Sequence, residues 1–391
     1  MKIFINNANG TLWLSLNLLR WVGFLVPDNF EGRKKKLLPF YSFFWFMFIV
    51  GIYVIVQTGD LIQVWGDITL MTGTSFLLFT NMAFITKIIN VMVRRDAVLA
   101  IIDEGDEVLR SERRIEGKAI VKSSNQETSR LLYLYGLLTV VTVFGWAASA
   151  EKGSLPLRAW YPYDTSKSPA YELTYLHQSV AVILLAFLNV SLDVLVTSLA
   201  AVCRCRFQLL ALSLRTLCHD IPIDEKHLVS PEHKQIVHER LRLCILQHQS
   251  ILESAAKIKT CFSGHILAQF TVSIVIICVT AYTLALETHD NPIRLIAMFS
   301  YLLGMMMQVF LYCYQGDYLS EESSDIADAA YECPWYACPI PLRRSLLVIM
   351  ARSRRVAILT AGGFSTLSLA CFVSIIKASY SFFTVLQQVE E

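Results

Sequence analysis

One apolar segment of the chain, at positions 131–150, carries polar and aromatic side chains on a single helix face. Successive members of this set are separated by four, three and four residues, which is the spacing of one helical stripe: Tyr135, Thr139, Thr142 and Trp146. Two aromatic rings with two hydroxyls between them suit a small, mostly apolar molecule that needs one or two hydrogen bonds. Aromatic stripes are also typical of helix packing, so packing is the alternative for this candidate binding face.

Three other apolar segments offer side chains that are able to close such a cavity. They are mostly aromatic or apolar: Phe76, Phe79 and Thr80 from 69–86, Phe187 and Val190 from 178–202, and Tyr301 and Met305 from 293–313. Methionine and aromatic residues also fill ordinary cores, so core packing is the alternative for each of them.

Covalent chemistry has no comparable set of residues. No constellation of His, Asp and Ser falls at one depth of the apolar segments, so neither enzyme activity nor a cofactor is expected. Cys333 and Cys338 have four residues between them but no second pair and no neighbouring His, so no metal site is expected. The 34 basic and 32 acidic residues nearly balance, which gives no reason to expect a nucleic-acid partner.

The composition is that of an all-α membrane protein. Apolar residues make up 54% of the chain and charged residues 17%, against about 25% charged in soluble domains. A helix needs roughly 20 apolar residues to cross the lipid bilayer, and seven runs approach that length: 37–57, 69–86, 131–150, 178–202, 261–286, 293–313 and 356–386. An earlier run, 11–26, contains Arg20 and predicts a helix that lies in the membrane interface or re-enters it.

The basic residues predict how the seven transmembrane helices are oriented. Outside the predicted spans, 29 Lys and Arg residues lie on one side of the membrane and 3 on the other. Basic residues favour the cytosolic side, so we expect a cytosolic amino terminus and an extracellular carboxyl terminus. This orientation is the reverse of that of a G-protein-coupled receptor.

The segments between the spans continue the helical pattern. Apolar stripes at 94–118, 232–259 and 320–355 predict helical extensions that together form a cytosolic anchor region. Such stripes pack against one another or against another subunit, or they form a solvated hairpin within one subunit. We expect one membrane domain over 1–391, with a seventh helix over 356–389.

Two charged residues fall inside predicted spans, Asp193 in the fourth and Lys377 in the seventh. Burying a charge in hydrocarbon costs at least about 2.5 kcal/mol, so each has either a structural partner or a role in ion passage. The two residues lie at different depths and are not expected to pair. His265, one turn into the fifth span, is the expected neighbour of Asp193.

The carboxyl-terminal part of the chain resembles the signature of insect odorant receptors. The resemblance rests on these strings: Tyr-Cys-Tyr-Gln-Gly at 312–316, 323–330 with Tyr331 and Trp335, Leu-Thr-Ala-Gly at 359–362, and Lys-Ala-Ser-Tyr-Ser-Phe-Phe-Thr-Val-Leu at 377–386. The predicted outer loop is similar to that family's second outer loop at Leu-Pro 155–156, Trp-Tyr-Pro-Tyr 160–163 and Ser-Pro-Ala-Tyr-Glu 168–172. The insert between the fourth and fifth spans is short, which resembles an odour-tuned subunit and not the long-loop co-receptor.

The resemblance implies a ligand-gated, non-selective cation channel in the plasma membrane of olfactory neuron dendrites. In this family tuned subunits join co-receptor subunits in a heterotetramer, and a small volatile binds within the helical bundle. Trp146 falls where the family has an aromatic residue in its binding pocket. The permeant cations pass along the outer half of the seventh helix.

Three residues of the seventh helix match the family's gate and filter positions: Val385, Gln388 and Val389. Around a four-fold axis, two apolar rings that bracket an amide ring would form a constriction that closes by dewetting. Glu390 and Glu391 follow at the outer mouth, where negative charge would concentrate cations. The alternative is a frayed, soluble tail.

Other classes of membrane protein fit the sequence less well. A G-protein-coupled receptor would carry an Asp-Arg-Tyr-like triad after its third span, and a secondary transporter would show repeats or broken helices. Gustatory receptors share the architecture and are the nearest alternative. They typically carry a different tail pattern from the Ser-Tyr-Ser-Phe-Phe at 379–383.

Overall fold

A computed structural model describes residues 10–25, 33–66, 68–149, 155, 157, 159–165, 167–221, 233–286 and 292–390. The helices are α1 Gly10–Trp21, α2 Arg33–Phe46, a π-helical turn Met47–Gly51, α3 Ile52–Gln63, α4 Ile68–Val93, α5 Arg95–Ser111, α6 Ile115–Ser149, α7 Ala170–Arg215, α8 Lys234–Leu286, α9 Pro292–Glu332, a 3-10 turn Trp335–Ala337, α10 Ile340–Ser353 and α11 Leu369–Glu390. The strands are β1 Thr360–Ala361 and β2 Ser365–Thr366.

Seven helical segments in the described part of the chain are long and apolar enough to cross a membrane, which confirms the predicted fold class. The first span runs through α2, the π-helical turn and α3, and the others are α4, α6, α7, α8, α9 and α11. The most buried of these segments is α7, which packs against α6, α8 and α9. The amino-terminal helix α1 also packs on α7, with Leu16 and Leu19 fully buried.

The three longest helices extend well beyond the thickness of a bilayer. At about 1.5 Å per residue, the 53 residues of α8 measure about 80 Å, against roughly 30 Å of hydrocarbon. The extensions of α7, α8 and α9 lie at the end of the bundle that also carries α5 and α10. We call this the α10 end, and the opposite end, which carries the described residues between 155 and 169, the loop end.

Two of the predicted extensions are not continuous helices. The segment 94–118 contains α5, a break at 112–114 and the first turn of α6. At the break, the backbone N–H and Nε of Arg114 donate to the Glu112 carboxylate at 2.8 and 3.0 Å. The segment 320–355 likewise divides into the end of α9, the 3-10 turn and α10.

The seventh span is shorter than predicted, because residues 356–368 are not helical. They include a two-stranded antiparallel hairpin in which Thr360 pairs with Thr366 and Ala361 with Ser365. Gly362 and Gly363 form its turn with φ values of 62° and 80°, which glycine adopts without strain. The hairpin is tied to α8 by a hydrogen bond of 2.9 Å from the Gly362 N–H to the Ser263 carbonyl.

Candidate functional site

A cavity of about 80 Å³ lies between α4, α6, α7 and α9, in the half of the bundle nearer the loop end. The four residues of the α6 stripe all line it, as the spacing predicts. Predicted residues from the other helices also line it: Thr80, Val190, Tyr301 and Met305. Eight of the eleven candidate residues therefore line one cavity.

The remaining three candidates occupy different places. Phe76 does not line the cavity but packs edge-on to Trp146 and Tyr301, with ring centroids 5.6 and 5.5 Å away. Phe79 packs in the hydrophobic cluster that contains Met305. Phe187 points out of the bundle with 39% of its surface exposed, so its assignment to the cavity was wrong.

Seven lining residues were not predicted. Most are aliphatic and carry no signal beyond apolarity, and the full set is Leu77, Val143, Val182, Leu185, Ala186, Asn189 and Gly304. Asn189 had a usable signal, because it is polar and directly precedes the candidate Val190. Gly304 also had a usable signal, because it lies one turn from Tyr301 on the same helix. In the structure, a Cβ at Gly304 would approach Leu138 no closer than 4.0 Å. The glycine therefore leaves open space.

The loop at the loop end packs against side chains that surround the cavity. Leu157 is buried in a hydrophobic cluster that includes Phe76 and Leu77 and against which Trp146 packs. The loop is held by Gln178 of α7, which exchanges two hydrogen bonds of 3.2 Å with the backbone of Leu157. Gln178 is fully buried, so it anchors this part of the loop beside the cluster.

A buried ion pair lies on the side of the cavity nearer the α10 end. Lys87 of α4 donates to Asp193 of α7 at 2.6 Å, and each side chain is only 1% exposed. Tyr135 and Tyr312 also donate to the Asp193 carboxylate, at 2.9 and 2.7 Å. Tyr135 therefore connects the cavity wall with the ion pair.

The predicted neighbour of Asp193 was wrong. His265 lies instead beside Asn90, with 3.2 Å between Asn90 Nδ2 and His265 Nδ1. The predicted second span ends at 86, but α4 continues to Val93 and carries Lys87 inside the bundle. Its ammonium supplies the charge that compensates Asp193.

The pore candidates lie on α11, which is poorly covered by the rest of the chain. Only 11% of the 18-residue apolar stretch of α11 is buried. Val385 is 53% exposed, and Gln388 and Lys377 are also exposed. The side chains of Val389 and Glu390, and the whole of Glu391, lie outside the described residues.

Outside the spans, Glu104 of α5 connects three helices. Its Oε1 accepts hydrogen bonds from Ser250 and Ser254 of α8, at 2.6 and 2.9 Å, and from Arg206 of α7 at 3.1 Å. Partial burial acts to raise the pKa of the Glu104 carboxyl, but these hydrogen bonds and the Arg206 charge outweigh it and lower that pKa. The carboxylate form therefore fastens α5 to the long helices.

Comparison with known proteins supports the resemblance. The profile of the family described as 7tm Odorant receptor matches residues 67–380. Odorant receptor Or1 of Anopheles gambiae is 24% identical over 97% of this chain and 95% of its own length. Odorant receptor 94a of Drosophila melanogaster is 26% identical over 66% of this chain and 65% of its own.

Solved structures show the same fold. The insect olfactory receptor OR5 from Machilis hrabei in complex with eugenol has a TM-score of 0.80 at 18% identity, with 97% of each chain covered. Another structure of that receptor has a TM-score of 0.78 at 20% identity. Because the family profile spans most of the sequence, the chain belongs to the seven-transmembrane odorant receptor family.

Proposed function

We propose that this chain is an odour-tuned subunit of a non-selective cation channel that opens when a small volatile binds in the cavity between α4, α6, α7 and α9. The observation that carries the proposal is the convergence of eight predicted side chains on one cavity. Its aromatic wall includes Trp146 and Tyr301, whose ring centroids are 5.5 Å apart. This mixture of apolar walls and a few polar groups is typical of small-molecule sites.

The size of the cavity supports a volatile ligand. Its volume of about 80 Å³ is well below the roughly 300–1,000 Å³ of sites for drug-sized molecules. A molecule with few heavy atoms fits this space with little rearrangement. Larger odorants require the walls to move apart.

The uncovered surface of α11 supports assembly with other subunits. A membrane-spanning helix that is mostly exposed in one chain has room to contact a co-receptor subunit in a heterotetramer, or to line a water-filled conduit. Val385 and Gln388, with Val389 after them, would form the constriction, and Glu390 and Glu391 would attract cations at its mouth. Lys377, on the same helix, would lie deeper in the membrane.

One hydrophobic cluster links the cavity with this helix. Met305 of the cavity wall belongs to a buried cluster against which both Tyr301 of α9 and Ile376 of α11 pack. Farther along the same two helices, Phe310 of α9 contacts Phe372 of α11 with ring centroids 5.6 Å apart. A volatile that fits better when α9 has moved would bias α11 toward the open state, because a ligand shifts an equilibrium only by its differential affinity.

The proposal is tested by recording odour-evoked current from cells that express the chain with a co-receptor in their plasma membrane. Trp146→Ala removes the largest aromatic wall and is expected to raise the half-activating concentration about tenfold, as the loss of a buried aromatic contact commonly does. Phe187→Ala is the matched control, because this exposed aromatic residue lies on α7 but outside the cavity. Equal effects of the two substitutions, or current that depends strictly on a second messenger, would contradict the proposal.

A further inference from the structure

The hydroxyl groups of the cavity wall are arranged so that they accept hydrogen bonds and do not offer them to a ligand. The three threonine hydroxyls donate to carbonyl oxygens one turn earlier in their own helices. Thr139 donates to Tyr135 at 3.0 Å, Thr142 to Leu138 at 2.8 Å, and Thr80 to Phe76 at 2.8 Å. Each threonine therefore presents only oxygen lone pairs to the cavity.

The two tyrosine hydroxyls are committed in the same way. Tyr135 donates to the Asp193 carboxylate, which can only accept. The hydroxyls of Tyr301 and Thr80 are 2.6 Å apart. Since the proton of Thr80 is directed to a backbone carbonyl, Tyr301 is the donor of this pair.

Asn189 is different, because its amide has donors to offer. Its Oδ1 accepts a hydrogen bond of 2.9 Å from Lys87 Nζ. An ammonium group has no acceptor, so the amide oxygen must face Lys87 and the NH₂ group must face away from it. Among the described residues, none accepts a hydrogen bond from Nδ2 of Asn189, which is one of the cavity-lining side chains.

The Lys87–Asp193 ion pair fixes the orientation of the Asn189 amide. Lys87 is itself held by Asp193 at 2.6 Å in a site that solvent does not reach. The ion pair therefore acts on the cavity indirectly, by fixing which end of the Asn189 amide is turned toward Lys87. Trp146 carries the other N–H group of the wall, and its side chain has a further interaction within the protein.

We propose that Asn189 is the hydrogen-bond donor that sets the odorant class of this receptor, and that Lys87 is its positioning residue. The cavity then favours small carbonyl compounds such as ketones, which carry an acceptor and no donor, over hydrocarbons of the same shape. This inference rests on the proposed function, because it takes the cavity as the odorant site. It goes further by naming the group that the odorant presents.

Three probes with the same five-carbon chain test the inference: 2-pentanone, 2-pentanol and pentane. Their binding to the purified full chain is measured by thermal stabilisation, and their activation of current is measured with the co-receptor. In the wild-type protein 2-pentanone is expected to bind about tenfold more tightly than pentane. Asn189→Leu should abolish this preference by weakening 2-pentanone about tenfold and leaving pentane unchanged.

Two further variants complete the test. Thr139→Val removes an acceptor of the same wall, so it should weaken 2-pentanol and leave 2-pentanone unchanged. Asn189→Thr covers the possibility that Asn189→Leu does not reach the membrane. Its hydroxyl is expected to donate one turn back, as those of Thr139 and Thr142 do, so it should reproduce the loss for 2-pentanone.

The outcomes separate this inference from the proposed function. Equal weakening of all three probes by the Asn189 variants would overturn the inference, as would wild-type protein that binds 2-pentanone no better than pentane or binds none of the probes. Selective loss of 2-pentanone binding without any odour-evoked current in the wild type would support the recognition role of Asn189. The same result would contradict the proposed function as a channel, because no odour-evoked current would be present.

Discussion

Lys87 and Asp193 form an ion pair in the membrane-spanning part of the bundle, where an uncompensated charge is costly. Asp193 was a candidate either for ion passage or for a structural hydrogen bond. The structure favours the structural role, because Asp193 is fully buried and its carboxylate is bonded to Lys87, Tyr135 and Tyr312. A carboxylate with this many partners holds α4, α6, α7 and α9 together.

Replacing Asp193 by Asn should strongly destabilise the protein. Removal of one member of a buried ion pair leaves the other charge uncompensated, at a cost of about 3–5 kcal/mol. We expect a lower thermal midpoint of the purified chain and less protein at the cell surface.

A matched control for this prediction removes both charges, in the double variant Lys87→Met with Asp193→Leu. It should recover much of the lost stability, because buried ion pairs are often replaceable by apolar residues. Normal stability of Asp193→Asn combined with altered cation selectivity would show instead that Asp193 acts in ion passage.

The sequence predicted that the α6 side chains share one face, but it did not predict the partner of Asp193, and the difference has a physical reason. The stripe from Tyr135 to Trp146 lies on one helix, so its spacing alone brings the side chains to one face. The partners of Asp193 come from other helices, whose rotations are not encoded in local spacing. Phe187 was misplaced for the same reason, since the face that α7 turns toward the cavity depends on its packing.

The hairpin before α11 gives a structural reason for two of the strings that resemble the odorant receptor signature. Gly316 ends the 312–316 string, and a Cβ at this position would lie 2.8 Å from the Leu367 carbonyl oxygen. Only glycine therefore allows α9 to approach the hairpin so closely. Gly362 ends the 359–362 string and forms the hairpin turn, so both strings fix the place where α11 begins.

Gly316→Ala should disturb this contact. The added methyl group meets backbone, which cannot rotate away, and overpacking of this kind typically costs about 1–3 kcal/mol. We expect a lower thermal midpoint and reduced odour-evoked current. Gly136→Ala on α6 is the control, because nothing lies within 4 Å of its added Cβ and Ala is the better helix former. Equal effects of the two variants would contradict the proposed close approach.

The position of α5 should depend on pH through Glu104. Its pKa is lower in the folded protein than its ordinary value of 4.5, so its stabilising contribution is complete above about pH 4.5 and is lost as the pH falls through the folded value. Glu104→Gln should lower the stability at pH 7 by about 1 kcal/mol, which is less than the roughly 1.5–3 kcal/mol of hydrogen bonds to charged groups because the carboxylate is partly exposed.

The difference in thermal midpoint between wild type and Glu104→Gln should therefore narrow below pH 4.5. Glu107→Gln, an exposed position on the same helix, should leave the midpoint unchanged at both pH values. A difference that stays constant down to pH 3 would contradict the assigned role of the Glu104 charge.

At the scale of elements, apolar run length predicted all seven spans but not where each one ends. The run from Val356 reads as the start of a span because Ala357, Ile358 and Leu359 continue it. The signal for a hairpin was present in Gly362 and Gly363, since adjacent glycines mark a turn. The continuous run of apolar residues outweighed that signal in the prediction of the span, because a buried hairpin and a buried helix have similar composition.

The whole molecule is asymmetric in how its helices are covered. The core around α7 is closed within one chain, whereas α11 leaves most of its surface uncovered. The proposed orientation and the proposed assembly rest on different properties: the orientation rests on the distribution of basic residues, and the assembly rests on the exposure of α11. One accessible position on α11 can test both proposals.

Val385→Cys supplies that position. The described chain contains no other highly exposed cysteine, because nine are buried and Cys371 is half-buried. If α11 lines the conduit and its end is extracellular, a membrane-impermeant thiol reagent applied outside should reduce the odour-evoked current of this variant by more than half. The wild type gives the baseline reaction of Cys371.

Phe144→Cys is the matched control, because this residue of α6 is 64% exposed and lies near the loop end, yet is not expected to face the conduit. Inhibition of the Val385→Cys variant only by reagent supplied from the cytosol would reverse the orientation, and equal inhibition of the two variants would remove α11 from the conduit.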